Sequence, residues 1–236
     1  MAQIIKTFLY ALYQYFTHRI YKLLFPKKLI PYFSLALFLQ LTNLGCSVIS
    51  LFNDIFISLP MAVSILRFME QKTMQGIIWF VIASTFKIGA VFYLPATLLV
   101  ITLMSGLSNV IVFVIILIGT QVAISLPFTT VNKQAYIEQN FNFSTIYPPT
   151  NTNSWNFLHD DFYYSDIRIL TQKYLLVFSL IYFLLFKWTR PGRFFQDVRL
   201  LPFFKGGYRY QSPRKQMMIF GTCSLLFQFW SACLHI

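Results

Sequence analysis

Residues 88–132 form 45 consecutive positions without a charged side chain. At about 1.5 Å per helical residue, that run is more than twice as long as a hydrocarbon core of roughly 30 Å is thick. It must cross a bilayer more than once. The rest of the chain agrees: 57% of its 236 residues are hydrophobic and 11% are charged, against roughly 25% charged in ordinary soluble domains. So few charges could not cover a soluble surface, and 27 phenylalanines with 14 tyrosines exceed what a soluble core of this length needs. The sequence predicts an all-α, multispanning membrane protein, with residues 1–236 forming a single membrane domain.

The net charge of +12 does not point to nucleic acid. The basic residues sit at the ends of apolar runs, where they face lipid headgroups and set orientation. Cys46, Cys223 and Cys233 lie in apolar stretches without CxxC spacing and read as buried free thiols. The first apolar stretch contains Lys6, His18 and Arg19 with no small-residue cleavage site after it. It is expected to serve as its own targeting signal rather than as a cleaved peptide.

Charge-poor windows predict spans at 4–25, 29–52, 55–69, 76–87, 88–104, 107–128, 169–187 and 216–234. Segment 187–215 holds Lys187, Arg190, Arg193, Arg199, Lys205, Arg209, Arg214 and Lys215 against Asp197 alone, so it is expected to be a cytosolic loop. Lys22, Lys27 and Lys28 mark a second cytosolic turn, and Arg67 with Lys72 a third. Segment 129–168 carries four of the seven acids (Glu138, Asp160, Asp161 and Asp166) and is rich in Asn, Thr and Pro. It is expected to be a loop on the opposite, lumenal side. An odd number of crossings must separate the turn at 67–72 from that loop. Three short crossings with a lumenal turn at Lys87 meet the condition, whereas two do not. Segments of 12 to 17 residues are short for lipid-exposed spans, so they are expected to be half-buried among other helices.

Five blocks occur in an order that resembles a known family. They are Leu51-Phe52-Asn53-Asp54, Ala83-Ser84-Thr85-Phe86-Lys87, Ser125-Leu126-Pro127-Phe128, Trp155-Asn156-Phe157-Leu158, and Lys187-Trp188-Thr189-Arg190-Pro191-Gly192. Together they are similar to the dolichyl-phosphate-mannose-dependent α-1,3-mannosyltransferase family of the endoplasmic reticulum. The resemblance implies a multi-pass endoplasmic-reticulum enzyme of the lipid-phosphate-sugar-dependent glycosyltransferase type. Such an enzyme transfers mannose from dolichyl phosphate mannose to the Man(5)GlcNAc(2)-PP-dolichol precursor of N-glycosylation. It departs from this sequence at Cys223 and Leu226, where the family has arginine and histidine, and at Asn156 and His159. Family members also begin with additional spans and an acidic lumenal loop, so residues 1–236 alone are expected not to replace the enzyme in cells.

The chemistry so implied is an inverting transfer at the lumenal face. It needs a carboxylate to take the acceptor hydroxyl proton and a cation to stabilise the departing phosphate. Lys87 is the cation candidate, because it is the only charge between Lys72 and Lys133 and parity places it at lumenal depth. A lysine at a helix end can also snorkel to headgroups. Asp54 directly precedes an apolar helix, a position that N-capping explains as well as catalysis does. Asp160 and Asp161 follow Trp155 within an aromatic segment; the acids could contact sugar hydroxyls and the ring a sugar face. An interfacial aromatic belt accounts for the same pattern. His159 has no second histidine nearby, so neither a metal nor another cofactor is expected. Two other classes fit the same composition: a polytopic transporter with broken helices, and a non-catalytic membrane subunit.

Overall fold

A computed structural model of the chain describes residues 2–25, 55–86, 90, 93–141, 165–188 and 212–234. Within them all regular structure is helical. The helices are α1 (Ala2–Leu24), α2 (Ile55–Met69), α3 (Thr73–Phe86), α4 (Leu94–Ser105), α5 (Leu107–Phe141), α6 (Asp166–Tyr182, continued by a π-helical turn Phe183–Trp188) and α7 (Pro213–Leu234). Two compact units result: Met1–Ile124 with Val198–Phe220, and Ser125–Asp197 with Gly221–Ile236.

In the first unit, α2 and α3 form a hairpin. At one end α2 closes on a double-bonded cap, with the Gln71 N–H donating to the Phe68 carbonyl (2.9 Å) and the Lys72 N–H to that of Arg67 (2.8 Å). That pattern puts Gln71 in the left-handed region (φ 64°), as the terminating residue of such a cap requires. At the other end the rings of Phe56 and Phe86 stack at 5.7 Å. Midway, Ser64 Oγ donates to the Gly76 carbonyl at 2.8 Å, a close approach that small residues permit.

The next helices keep alternating. The Thr73 and Ser105 hydroxyls pair at 3.0 Å, so the end of α4 lies beside the start of α3. Gly106, at φ 82°, turns the chain there in one residue, a conformation a side chain would strain. From that turn α5 runs back along α3: Phe113 packs edge-on against Phe80 at 5.4 Å, and Gln121 reaches Ser84 at 3.0 Å. Three helices therefore alternate in direction after the 70–72 turn.

Short helices carry the core. At about 1.5 Å per residue, the 12-residue α4 is roughly 18 Å long, well under a hydrocarbon core. Eight of its residues are buried, including Thr97, Ile101 and Met104 at 0% exposure. The long helix α5 is the opposite. Among the described helices, its stretch Leu107–Tyr136 alone is long and apolar enough to cross a bilayer. Ile111, Ile115, Ile118, Val122 and Leu126 stand exposed along it.

Boundaries differ from the charge-gap reading in two places. Helix α4 starts at Leu94, with Pro95 in its first turn, a position suited to a residue lacking N–H, rather than at 88. Helix α5 also does not stop at Phe128. Asn132 breaks the helical backbone (φ −151°, ψ 93°), its Oδ1 accepts from the Ala135 N–H at 3.0 Å, and helix resumes to Phe141. An asparagine N-cap restarts a polar helix, supported by Gln134 donating to Glu138 at 3.0 Å. Helix thus occupies both ends of the 129–168 segment, since α6 begins at Asp166.

Helix α1 is tied to the 70–72 turn. Glu70 accepts from Arg19 and from Arg67, each at 2.7 Å, with Lys72 at 3.9 Å. Beneath this clasp Ile20 and Leu24 pack with Ala62, Leu66 and Met69. Parallel packing of α1 and α2 follows, so α1 ends and α2 begins at opposite ends of the unit. Exchange of Glu70 for glutamine leaves both guanidinium groups without their acid. Because Arg19 is 42% exposed, the expected loss is modest, about 1–2 kcal/mol, read as a lower unfolding midpoint in detergent. An unchanged midpoint would mean that the apolar contacts alone hold α1.

Candidate active site

The first unit has two unlike ends. One collects Arg19, Arg67, Glu70 and Lys72. The N-terminus of α7 belongs to it too, through the buried Gln216, whose Nε2 lies 3.2 Å from Met104 Sδ, and Phe220, whose ring stacks on Phe68 at 6.0 Å. At the opposite end the α2–α3 hairpin carries no charge of its own among the described residues. That end is built from Ile55 and Phe56 at the start of α2, Ser84, Thr85 and Phe86 at the end of α3, and Gln121 of α5.

Two of the sequence-predicted site residues adjoin this end. Asp54 directly precedes Ile55, and Lys87 directly follows Phe86. Both lie outside the described residues, as do Trp155, Asp160 and Asp161. What the fold brings together is the pair of helix ends next to Asp54 and Lys87, through the Phe56–Phe86 stack. The hydroxyls of the Ala83–Lys87 block are already engaged. Ser84 Oγ donates to the Val81 carbonyl at 2.7 Å while accepting from Gln121 Nε2; Thr85 Oγ1 donates to Ile82 at 2.8 Å. They fix the last turn of α3 and are not free to act as nucleophiles. Gln121 was not singled out by sequence, although an amide in the middle of the uncharged apolar stretch 110–128 is a signal that could have found it.

In the second unit the block beginning Lys187-Trp188 closes the π-helical turn. Trp188 is 1% exposed. Its indole N–H donates to Thr222 Oγ1 at 2.7 Å, and its ring lies 6.0 Å from that of Phe183. The next residue, Cys223, is fully buried. The tryptophan therefore anchors on the helix that carries the Cys223-to-Leu226 stretch.

A family model described as ALG3 protein matches residues 1–232. The chain belongs to the ALG3 protein family. Its likeness to one curated member is modest: 27% identity over 159 residues to the probable Dol-P-Man:Man(5)GlcNAc(2)-PP-Dol alpha-1,3-mannosyltransferase of Dictyostelium discoideum. That match covers 66% of this chain and 35% of the relative, so the chain corresponds to about a third of the length of this family member. No solved structure matches.

Proposed function

We propose that the protein is a multi-pass membrane mannosyltransferase of the endoplasmic reticulum. It moves mannose from dolichyl phosphate mannose, in α-1,3 linkage, onto Man(5)GlcNAc(2)-PP-dolichol. The family match over residues 1–232 carries this reading, and the activity printed for the Dictyostelium relative gives its substrates.

The two ends of the first unit give it a direction. The end with Arg19, Arg67 and Lys72 faces the cytosol by the positive-inside rule, so the end with Ile55 and Phe86 faces the lumen. The exposed apolar side of α5 meets lipid, and the short helices α2 and α4 are sheltered by their neighbours, which lets them be shorter than the bilayer is thick. On this reading residues 1–236 form one membrane domain, with 129–168 lumenal and 187–215 cytosolic. The binding partners are the dolichol-linked donor, the lipid-linked oligosaccharide and bilayer lipid.

Chemistry then falls at the lumenal end. A carboxylate, from Asp160, Asp161 or Asp54, takes the proton of the acceptor hydroxyl as its oxygen attacks the anomeric carbon of the donor. The bond from that carbon to the phosphate oxygen breaks on the opposite face, and dolichyl phosphate leaves with the electron pair. Lys87 stabilises the phosphate as its charge grows, and the Trp155 ring stacks on a sugar face. Asn142-Phe143-Ser144 is a glycosylation sequon in the lumenal segment, so Asn142 is expected to carry an endoglycosidase-sensitive glycan. A cysteine introduced at Thr150 should resist a cytosol-restricted thiol reagent; its labelling would reverse the topology.

The cellular test is the lipid-linked oligosaccharide profile after the protein is removed from its own cells. Accumulation of Man(5)GlcNAc(2)-PP-dolichol is expected. An unaltered full-length profile would rule the function out.

A further inference from the structure

The charged end of the first unit holds more cation than its acid can use. Arg19 Nη2 and Arg67 Nη1 each give one N–H to Glu70, and Lys72 Nζ stands 3.9 Å from the same carboxylate. Three positive charges against one negative leave two in excess. A guanidinium has five N–H donors, so most of the donors here have no acceptor among the described residues. One of them, Arg67 Nε, is buried with no acceptor among the described residues. The acid is sheltered, at 14% side-chain exposure, while Arg19 and Lys72 are 42% and 52% exposed and face outward. The negative end of the α2 dipole accounts for one nearby cation but leaves the others unexplained. Directly beneath lie Ile20, Leu24, Ala62 and Met69, an apolar floor under a ring of donors.

We propose that this turn binds the phosphate of an anionic phospholipid headgroup, Arg19 and Lys72 reaching it from either side. Glu70 is the internal anion that keeps the guanidinium groups in place when no headgroup is bound. This rests on the membrane reading above, which sets the turn at the cytosolic leaflet, where anionic lipid raises the local negative potential. It does not depend on the transfer chemistry at the other end.

The test uses the full chain in phosphatidylcholine nanodiscs with a minor share of phosphatidylserine, and native mass spectrometry to count retained serine lipid. The parent should retain phosphatidylserine selectively. Lys72→Gln and Arg19→Gln should each lower retention about fivefold, in line with the headgroup attraction of one surface cation. Lys133→Gln, a charge removed from the other unit, should change nothing. Glu70→Gln should raise retention, because it removes the competing carboxylate; a folding defect would lower it instead. Equal retention by parent, Lys72→Gln and Glu70→Gln overturns the proposal. Displacement of the lipid by millimolar inorganic phosphate overturns it in favour of a free-anion site. A chain that fails to enter nanodiscs of either lipid removes the membrane reading and this proposal with it.

Discussion

Lys87→Met is expected to lower mannose transfer by about ten- to a hundredfold, the loss of one charge-assisted contact worth roughly 1.5–3 kcal/mol. The substitution keeps the apolar stem and deletes only the ammonium, so insertion of the helix should be undisturbed. Lys87 follows Phe86, whose ring stacks on Phe56, next to the helix start that Asp54 precedes. The Ser84–Gln121 hydrogen bond fixes the last turn of α3 just before it. Lys87→Arg should retain part of the activity, because the charge survives while its geometry changes. The measurement is the initial transfer rate in microsomes, normalised to protein level, in an enzyme complete enough to work. A Met variant as active as its parent would make Lys87 a snorkelling lysine and nothing more.

The second large effect concerns packing. A Cβ built on Gly76 would lie 2.7–2.9 Å from three ring atoms of Phe68, closer than such atoms approach. The ring has nowhere to go: Phe68 is 0% exposed and stacked against Phe220. The Gly76 carbonyl is also held by Ser64, so α3 cannot slide away without losing a buried hydrogen bond. Gly76→Ala should cost about 1–3 kcal/mol, and Gly76→Leu more, enough to prevent accumulation of folded protein. Gly119 and Gly221 serve as internal controls, since a Cβ there meets nothing within 4 Å. Alanine at either should be neutral or should stabilise by up to about 1 kcal/mol through helix propensity. Thermal unfolding of the detergent-solubilised protein, with all three alanine variants side by side, separates the two cases.

Helical class and alternation were legible in the sequence because charge gaps separate one apolar helix from the next. Arg67 and Lys72 mark one end of the α2–α3 hairpin, and the charge-free run from 88 to 132 is long enough for more than one further helix. Parity then required three helices where hydropathy alone suggests two, and α3, α4 and α5 follow that alternation. Hydropathy is blind to backbone chemistry, which explains the misplaced boundaries. Neither the proline start of α4 at Leu94 nor the Asn132 cap that restarts α5 changes the apolar content enough to register. Lateral neighbours are equally invisible. The Arg19–Glu70 pair spans 51 residues and the Gln121–Ser84 bond 37, and no local pattern announces either. At the candidate site, Asp54 and Lys87 were legible as isolated charges beside apolar helices. The Phe56–Phe86 stack adds that the two helix ends beside them meet.

The most direct test is transfer itself. Membranes containing the protein are given labelled dolichyl phosphate mannose and Man(5)GlcNAc(2)-PP-dolichol, and the glycan is sized and digested with a linkage-specific mannosidase. The expected product carries one added mannose, removable by an α-1,3-cleaving enzyme. An acceptor that stays at five mannoses while the protein is present and folded would contradict the assigned function.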